Sequence, residues 1–335
     1  MRRVLLFAFL ITALRVGAQQ LPQYTQYTFN ELLINPAVTG IESYWDVKAG
    51  YRNQWSGLDG SPKTAYITIS IPLNRDFTLG DFSQLNRPED NPLSANAAYN
   101  YQASISHSGL GVSVISDKTG QINQTHLDAN YAYHIRMSDG FNLAVGASLG
   151  LNSISLNTSQ LTVVNPMDPI LTQGNNSHMK PEVAVGLWGY ASGFFIGASV
   201  QQLLPASISF GSGSSSVSTK TYSQYFLTTG FRGYLGEDIT ILPSVVVRPS
   251  QNGPLSYDVN TKLAFRDVFW LGGAYRHNDA VAASFGFNIG GFLTLGYSYD
   301  YTTSDLNLVS GGTHEIMIGL LLNNNYKLSS PQHTW

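Results

Sequence analysis

His126-Leu127-Asp128-Ala129-Asn130-Tyr131-Ala132-Tyr133-His134-Ile135-Arg136-Met137 is the stretch whose reading decides the fold. In an extended chain successive side chains point to opposite faces. Leu127, Ala129, Tyr131, Tyr133, Ile135 and Met137 therefore share one face, and His126, Asp128, Asn130, Ala132, His134 and Arg136 share the other. The first face is apolar throughout, while the second carries titratable groups. An Arg turned towards lipid costs about 2–4 kcal/mol at mid-bilayer, so the charged face belongs inside, towards a lumen. This suits a strand of a transmembrane β-barrel. A soluble sandwich strand is the alternative that one segment leaves open.

The same alternation recurs along the chain. Trp45, Val47, Ala49 and Tyr51 alternate with Asp46, Lys48, Gly50 and Arg52, and Phe141 to Leu151 reads alike. Further strands are expected at 65–71, 110–115, 183–190, 194–200, 225–234, 239–247, 257–265, 269–275, 281–289, 293–301 and 316–322. The expected fold is thus all-β, an outer-membrane barrel of about fourteen antiparallel strands, an even number of the kind bacterial barrels use. Tyr and Phe near strand ends suit the aromatic girdles at a membrane interface.

Composition narrows the class. Of 335 residues, 43% are hydrophobic and only 12% charged, about half the charged share of an ordinary soluble domain. The net charge of -3 offers no basic stripe for nucleic acid. With no Cys, disulfides, thiolate metal sites and a lipidated N-terminal Cys are excluded. Arg2 and Arg3, the apolar run Val4 to Leu14 and Val16-Gly17-Ala18 read as a secretory signal cleaved after Ala18. That run is shorter than the ~20 residues of a spanning helix. A secreted chain with no such helix enters a bilayer only as a closed barrel, because every backbone polar group must find a partner there. The expected organisation is signal peptide 1–18, leader 19–42, barrel 43–326 and tail 327–335.

Connection lengths orient the barrel. Ser138-Asp139-Gly140, Ser192-Gly193, Gly236-Glu237-Asp238, Arg266-Asp267 and Gly290-Gly291 are tight turns expected at the periplasmic side. Asn152 to Lys180, Leu203 to Lys220 and Thr302 to Gly312 are longer and expected outside, with both termini periplasmic. Asn74 to Asn100 breaks the pattern: either it is a long periplasmic excursion or the strand count slips there. Leu21 to Gly40 is not barrel-like, and its apolar cluster, Phe29, Leu32, Leu33 and Ile34, is expected to dock as a short helix inside or beneath the barrel.

QYTQYTFNELLINPAVTG followed by YRNQWSGLDGSPKTAYITISIPL resembles the start of the PorP/SprF family of type IX secretion outer-membrane proteins of the Bacteroidetes. The resemblance rests on Gln23, Tyr24, Gln26, Tyr27, Phe29, Asn35, Pro36, Ala37 and Gly40, then on Tyr51, Arg52, Asn53, Gln54, Trp55, Gly60, Pro62 and Lys63. Tyr131 to Gly150 is similar as well. The resemblance implies a non-enzymatic role in exporting or holding proteins at the surface of the outer membrane. SprF-like members partner an adhesin or other cargo with a non-cleaved C-terminal sorting domain, whereas PorP-like members belong to the secretion machine. The cargo-specific role is the expectation, with the long outer loops holding the cargo and the leader and Asn74 to Asn100 facing the periplasmic machinery. A core machine component or a passive hydrophobic-substrate channel are the alternatives.

No catalytic, cofactor or metal site is expected. His126, Asp128 and His134 share a face, but residues two apart on a face lie nearly 7 Å apart, too far for a direct relay. Gly211-Ser212-Gly213-Ser214 reads as a flexible loop rather than a phosphate cradle. His126, Asp128, Asn130, His134 and Arg136 are expected to line the lumen, where His134→Ser should be tolerated. Arg52 is expected to order the interior by pairing with a carboxylate such as Asp128, or else, with Gln54, to grip an inserted segment. Asn35 and Pro36 are expected to fix the leader's turn.

Overall fold

The computed structural model describes residues 24–73, 101–157, 177–205, 207–210, 217–249 and 255–324. Its strands are β1 (Trp45–Asn53), β2 (Lys63–Pro72), β3 (His107–Thr119), β4 (Ile122–Ser138), β5 (Phe141–Leu156), β6 (Ser177–Tyr190), β7 (Phe194–Gln201), β8 (Ser207–Phe210), β9 (Val217–Lys220), β10 (Gln224–Phe231), β11 (Gly233–Tyr234), β12 (Ile239–Arg248), β13 (Ser256–Phe265), β14 (Phe269–Arg276), β15 (Ala280–Ile289), β16 (Leu293–Thr302) and β17 (Thr313–Leu322). Each pairs antiparallel with its neighbours. β1 closes on β17, with Trp45 opposite Leu322 and Arg52 opposite Glu315. β10 closes on β12. With β11 continuing β10, and β8 and β9 forming a separate hairpin, the closed barrel has fourteen staves.

Alternation of burial follows the sequence pattern. On β4, Leu127, Tyr131 and Tyr133 are about half exposed, whereas His126, Asn130 and His134 are buried. The bilayer takes the first set and the lumen the second. Outward tyrosines Tyr51, Tyr275, Tyr299 and Tyr301 stand at the long-loop end, and outward phenylalanines Phe194, Phe231, Phe265 and Phe287 at the short-turn end, with Tyr131 and Tyr133 lower on β4. Eight residues separate Leu293 from Tyr301, about 20 Å of height at ~3.3 Å per residue and a tilt near 40°. That matches the apolar band of a membrane barrel.

The strand count holds at the doubtful place. β2 and β3 are direct neighbours, with Pro72 opposite Gly109, so no stave is missing between them. Residues 74–100 themselves lie outside the described residues. The short-turn end is built as expected. Arg266 and Asp267 both adopt positive φ, as do Gly290 and Gly291, and each pair opens a three-residue connection between directly paired strands, Phe265 opposite Phe269 and Ile289 opposite Leu293.

Two expectations change at the long-loop end. Asn152 to Lys180 is not all loop, because β5 runs on to Leu156 and β6 starts at Ser177, with Asn152 opposite Lys180. Backbone pairing continues beyond the apolar band, where hydrophobic alternation has already faded and left no signal. Likewise Leu203 to Lys220 contains the β8–β9 hairpin. Residues 211–216, with the expected flexible stretch, lie outside the described residues.

The leader lies inside the barrel and is not a single helix. Glu31–Leu33 and Pro36–Val38 are two short 3-10 turns. Asn35 provides the break. Its Oδ1 accepts from Ala37 N (3.0 Å), satisfying an amide at the second turn's start, and Pro36 fills the first position, where no amide hydrogen is needed. The segment also has a direction. Tyr24 and Thr25 lie beside Arg52 and Glu315 at the long-loop end, and the chain descends to Trp45 at the short-turn end. The leader therefore does not lie at the short-turn side as expected, and the two ends of the chain lie outside the described residues. Leu322 does lie at the short-turn end, but the first described residues are at the opposite mouth. A leader buried along the lumen also presents little to periplasmic machinery.

Candidate functional site

The site to be understood is the lumen, occupied by residues 24–44. Hydrogen bonds fix this segment to staves all round the barrel. Asn30 Nδ2 donates to Thr68 Oγ1 on β2 (2.9 Å), Asn35 Nδ2 to Leu187 O on β6 (3.0 Å), and Gln201 Nε2 on β7 to Leu33 O (2.8 Å). The Tyr27 hydroxyl bonds Ser244 Oγ on β12 (3.2 Å). A leader lying beneath the barrel could not reach these opposed walls together.

On the β3–β7 side the fit is steric. Gly146 on β5 faces the backbone of Pro36 and Ala37, and Gly186 on β6 faces Asn35 Oδ1; a Cβ at either position would overlap them. Glycine in a strand interior forgoes packing and entropy, and close approach of another backbone is a reason to keep it there. Ala37 and Val38 then join Trp188, Tyr190 and Phe195 in one buried cluster. Two histidines close the end of the leader. His134 Nε2 donates to Thr39 O (2.8 Å) while its Nδ1 pairs with the Tyr190 hydroxyl (3.1 Å). The His107 ring stacks on it at 4.5 Å, with Nε2 3.1 Å from Gly40 O. His134 thus ties the leader to β6, and His134→Ser, expected to be tolerated, would remove this donor from Thr39 O.

On the β12–β17 side the leader is held by charge. Arg52 does not pair with Asp128. Its guanidinium bonds Asp300 Oδ2 (2.9 Å), Glu315 Oε2 (3.0 Å) and Thr25 Oγ1 (2.5 Å). Barrel closure explains this: β1 lies against β17, whereas β4 is three staves away. The Thr25 hydroxyl is the hub, donating to Asp300 (2.6 Å) and accepting from both Arg52 and Arg276 (3.2 Å), while Thr25 N donates to Glu315 (3.1 Å). Arg276 continues to Asp258 and Asp279, and Arg248 meets Asp258 in two parallel bonds of 2.6 and 3.0 Å. The three arginines and their carboxylates thus form one network at the long-loop end, with a leader threonine at its centre.

Beneath this network two neighbouring crevices lie along the leader, one lined by Gln26, Phe29, Ser244, Lys262 and Trp270, the other, at the short-turn end, by Phe29, Asp46, Lys262 and Phe292 among others. Glu31, fully buried on the leader, faces Lys48 and Lys262. The leader from Tyr24 to Gly40 holds no other carboxylate or amine.

The other singled-out residues scatter. Tyr51 faces lipid, and Gln54, Trp55, Gly60 and Pro62 form the first long-loop-end turn, where Gln54 N donates to Pro62 O (2.9 Å) and Trp55 N to Thr313 Oγ1 (3.1 Å). His126 pairs with Glu182 on β6 (2.7 Å), and Asn130 Nδ2 donates to Ser113 (3.3 Å). Asp128 is half-buried on the same face. Arg136 has the lumen parity but sits at the short-turn rim, exposed and paired with Asp139 (2.9 Å). Among the described residues no group of three His, Asp or Glu could hold a metal ion. Thr25, His107, Asp300, Glu315 and the two glycines carry much of the site and were not singled out from sequence. Strand glycines facing an apolar leader were the available signal.

The family described as type IX secretion system membrane protein PorP/SprF matches residues 16–320. Among curated proteins none matches the sequence. Similar solved structures include the Ralstonia pickettii toluene transporter TbuX (10% identity, TM-score 0.46, covering 86% of this chain and 92% of that one). The Acinetobacter baumannii outer membrane protein Omp33 (10%, 0.45, 85% and 100%) and a Pseudomonas aeruginosa FadL homologue (8%, 0.47, 91% and 95%) are others. At these values nothing about binding passes from them to this chain.

Proposed function

Because the chain belongs to the type IX secretion system membrane protein PorP/SprF family, we propose that it is a sealed outer-membrane barrel that partners one exported protein, holding that protein's non-cleaved C-terminal sorting domain at the cell surface. Family and fold are those of a membrane secretion or transport barrel rather than of an enzyme class. One observation supports the reading of a partner over a passive channel: the barrel's own leader crosses the lumen and is clamped to both walls. In this reading residues 1–18 are a cleaved signal and the long loops face outward. Arg52, Asn35, Pro36 and their neighbours in the family motif seat the plug, and the connections Asn152 to Lys180 and Leu203 to Lys220, rich in Ser, Asn, Gln and Thr, receive the cargo.

Gene deletion tests it. One exported protein should disappear from the surface while general type IX export continues, and the same protein should co-purify with the barrel. Loss of all type IX export would instead make the chain a core component of the machine. An unchanged surface proteome with no co-purifying protein would end the partner reading. Purified barrel in liposomes should not leak, whereas an unaided channel would.

A further inference from the structure

Residues 303–312 join β16 to β17 at the long-loop end, and this connection does not rise freely from the mouth. Asn307 Nδ2 donates to the Tyr301 hydroxyl (2.8 Å), and the Tyr299 hydroxyl donates to Gly311 O (3.2 Å). Both tyrosines point away from the lumen, since Ser298, Asp300 and Thr302 between and beside them are buried and Tyr301 is 52% exposed. They belong to the ring of outward tyrosines with Tyr51 and Tyr275. The loop is thus tied to the outside of the barrel wall at the height of an interfacial girdle.

Between the two ties the chain makes a 3-10 turn, Asp305–Leu308, closed by Asn307 N to Ser304 O (2.9 Å) and Val309 N to Leu306 O (3.2 Å). Its base is pinned to the first loop by Gly311 N to Ser56 O and Ser56 N to Gly312 O, both 2.7 Å. The turn presents Leu308, 87% exposed, and Val309, 59% exposed. A fixed turn that holds two adjacent apolar side chains outward needs something apolar to cover them. The surface continuous with them is the lipid-facing wall, including Ile316 on the adjoining strand.

We propose that the 303–312 connection is an interfacial foot, with Leu308 and Val309 seated among the acyl chains at the headgroup boundary of the leaflet at the long-loop end. Asp305 is exposed one 3-10 turn before Leu308 and stays at the headgroup level, which limits the depth. The foot would fix the height of this side of the barrel and keep the connection away from the surface offered to an exported protein. It holds whether or not the chain is a cargo partner.

The chain has no Cys, so single cysteines can be labelled cleanly. Leu308→Cys and Val309→Cys would carry a nitroxide in the full-length barrel, reconstituted in neutral phospholipid vesicles. Ile316→Cys serves as the lipid-facing reference and Asp59→Cys as the aqueous one. Collisions with oxygen should exceed those with a water-soluble nickel chelate at 308 and 309, with a ratio nearer that of 316 than of 59. A nickel accessibility like that of 59 would place the turn in water and overturn the proposal. An immobilised label shielded from both probes would mean that protein, such as a second copy, covers it, and would overturn it equally.

Discussion

The two walls of the lumen hold the same leader by different physics. Against β3–β7 the contact is one of shape: Gly146 lets the Pro36-Ala37 backbone come close, Gly186 makes room for the Asn35 side chain, and His134 and His107 bond the carbonyls that follow. Against β12–β17 the contact is one of charge, concentrated at Thr25 under Arg52 and Arg276, with a crevice below it. Shape complementarity is lost all at once when an atom is added. A charge network degrades in steps, each set by which partner is left unpaired.

The largest effect is expected from Gly146→Val. Ordinary overpacking costs about 1–3 kcal/mol, but here backbone, not a flexible side chain, stands in the way. The leader should be expelled while the staves still close. Liposome leakage should then appear with the folded, heat-modifiable band retained, and a tight barrel would show that the glycine wall does not seat the plug. Arg52→Ala comes next, leaving Glu315 buried without its guanidinium and Asp300 with Arg276 at 3.5 Å as its remaining cation, at a cost of about 3–5 kcal/mol. The midpoint of urea unfolding in detergent should fall accordingly, and Arg52→Lys, which keeps charge but loses the fork, should recover part of it. Equal midpoints for wild type and Arg52→Ala would remove the charged clamp from the account.

Tyr131→Arg breaks the outer face instead. It should cost about 2–4 kcal/mol by placing charge against lipid and should slow assembly. His134→Ser, on the opposite face of the same strand, should cost about 1–3 kcal/mol, because Thr39 O loses its donor in a buried site. The two are separated by readout: slow folding into vesicles for Tyr131→Arg, increased leakage at normal folding rate for His134→Ser.

Most of the wall was legible residue by residue. Leu127 to Met137 alternates strictly, and a period of two on a membrane-spanning strand leaves one arrangement, apolar out and polar in. The strand ends were less legible. Ile122 to Thr125 and Asn152 to Leu156 pair beyond the apolar band, where both faces meet water and selection on hydrophobicity relaxes. Arg52 stood out in the sequence, but its partners did not. Asp300 and Glu315 are 248 and 263 positions away and become neighbours only when the barrel closes.

Sequence alone therefore determined the class of fold, the number of staves, the lipid-facing side chains and a leader in need of burial, because each depends on local periodicity or on the cost of apolar surface in water. Tertiary structure decided where the leader goes and in which direction it runs. It also decided which charges meet on Thr25 and why strands carry glycine at 146 and 186. Those facts depend on which staves ring closure places beside one another, and a linear pattern contains no record of distance across the lumen.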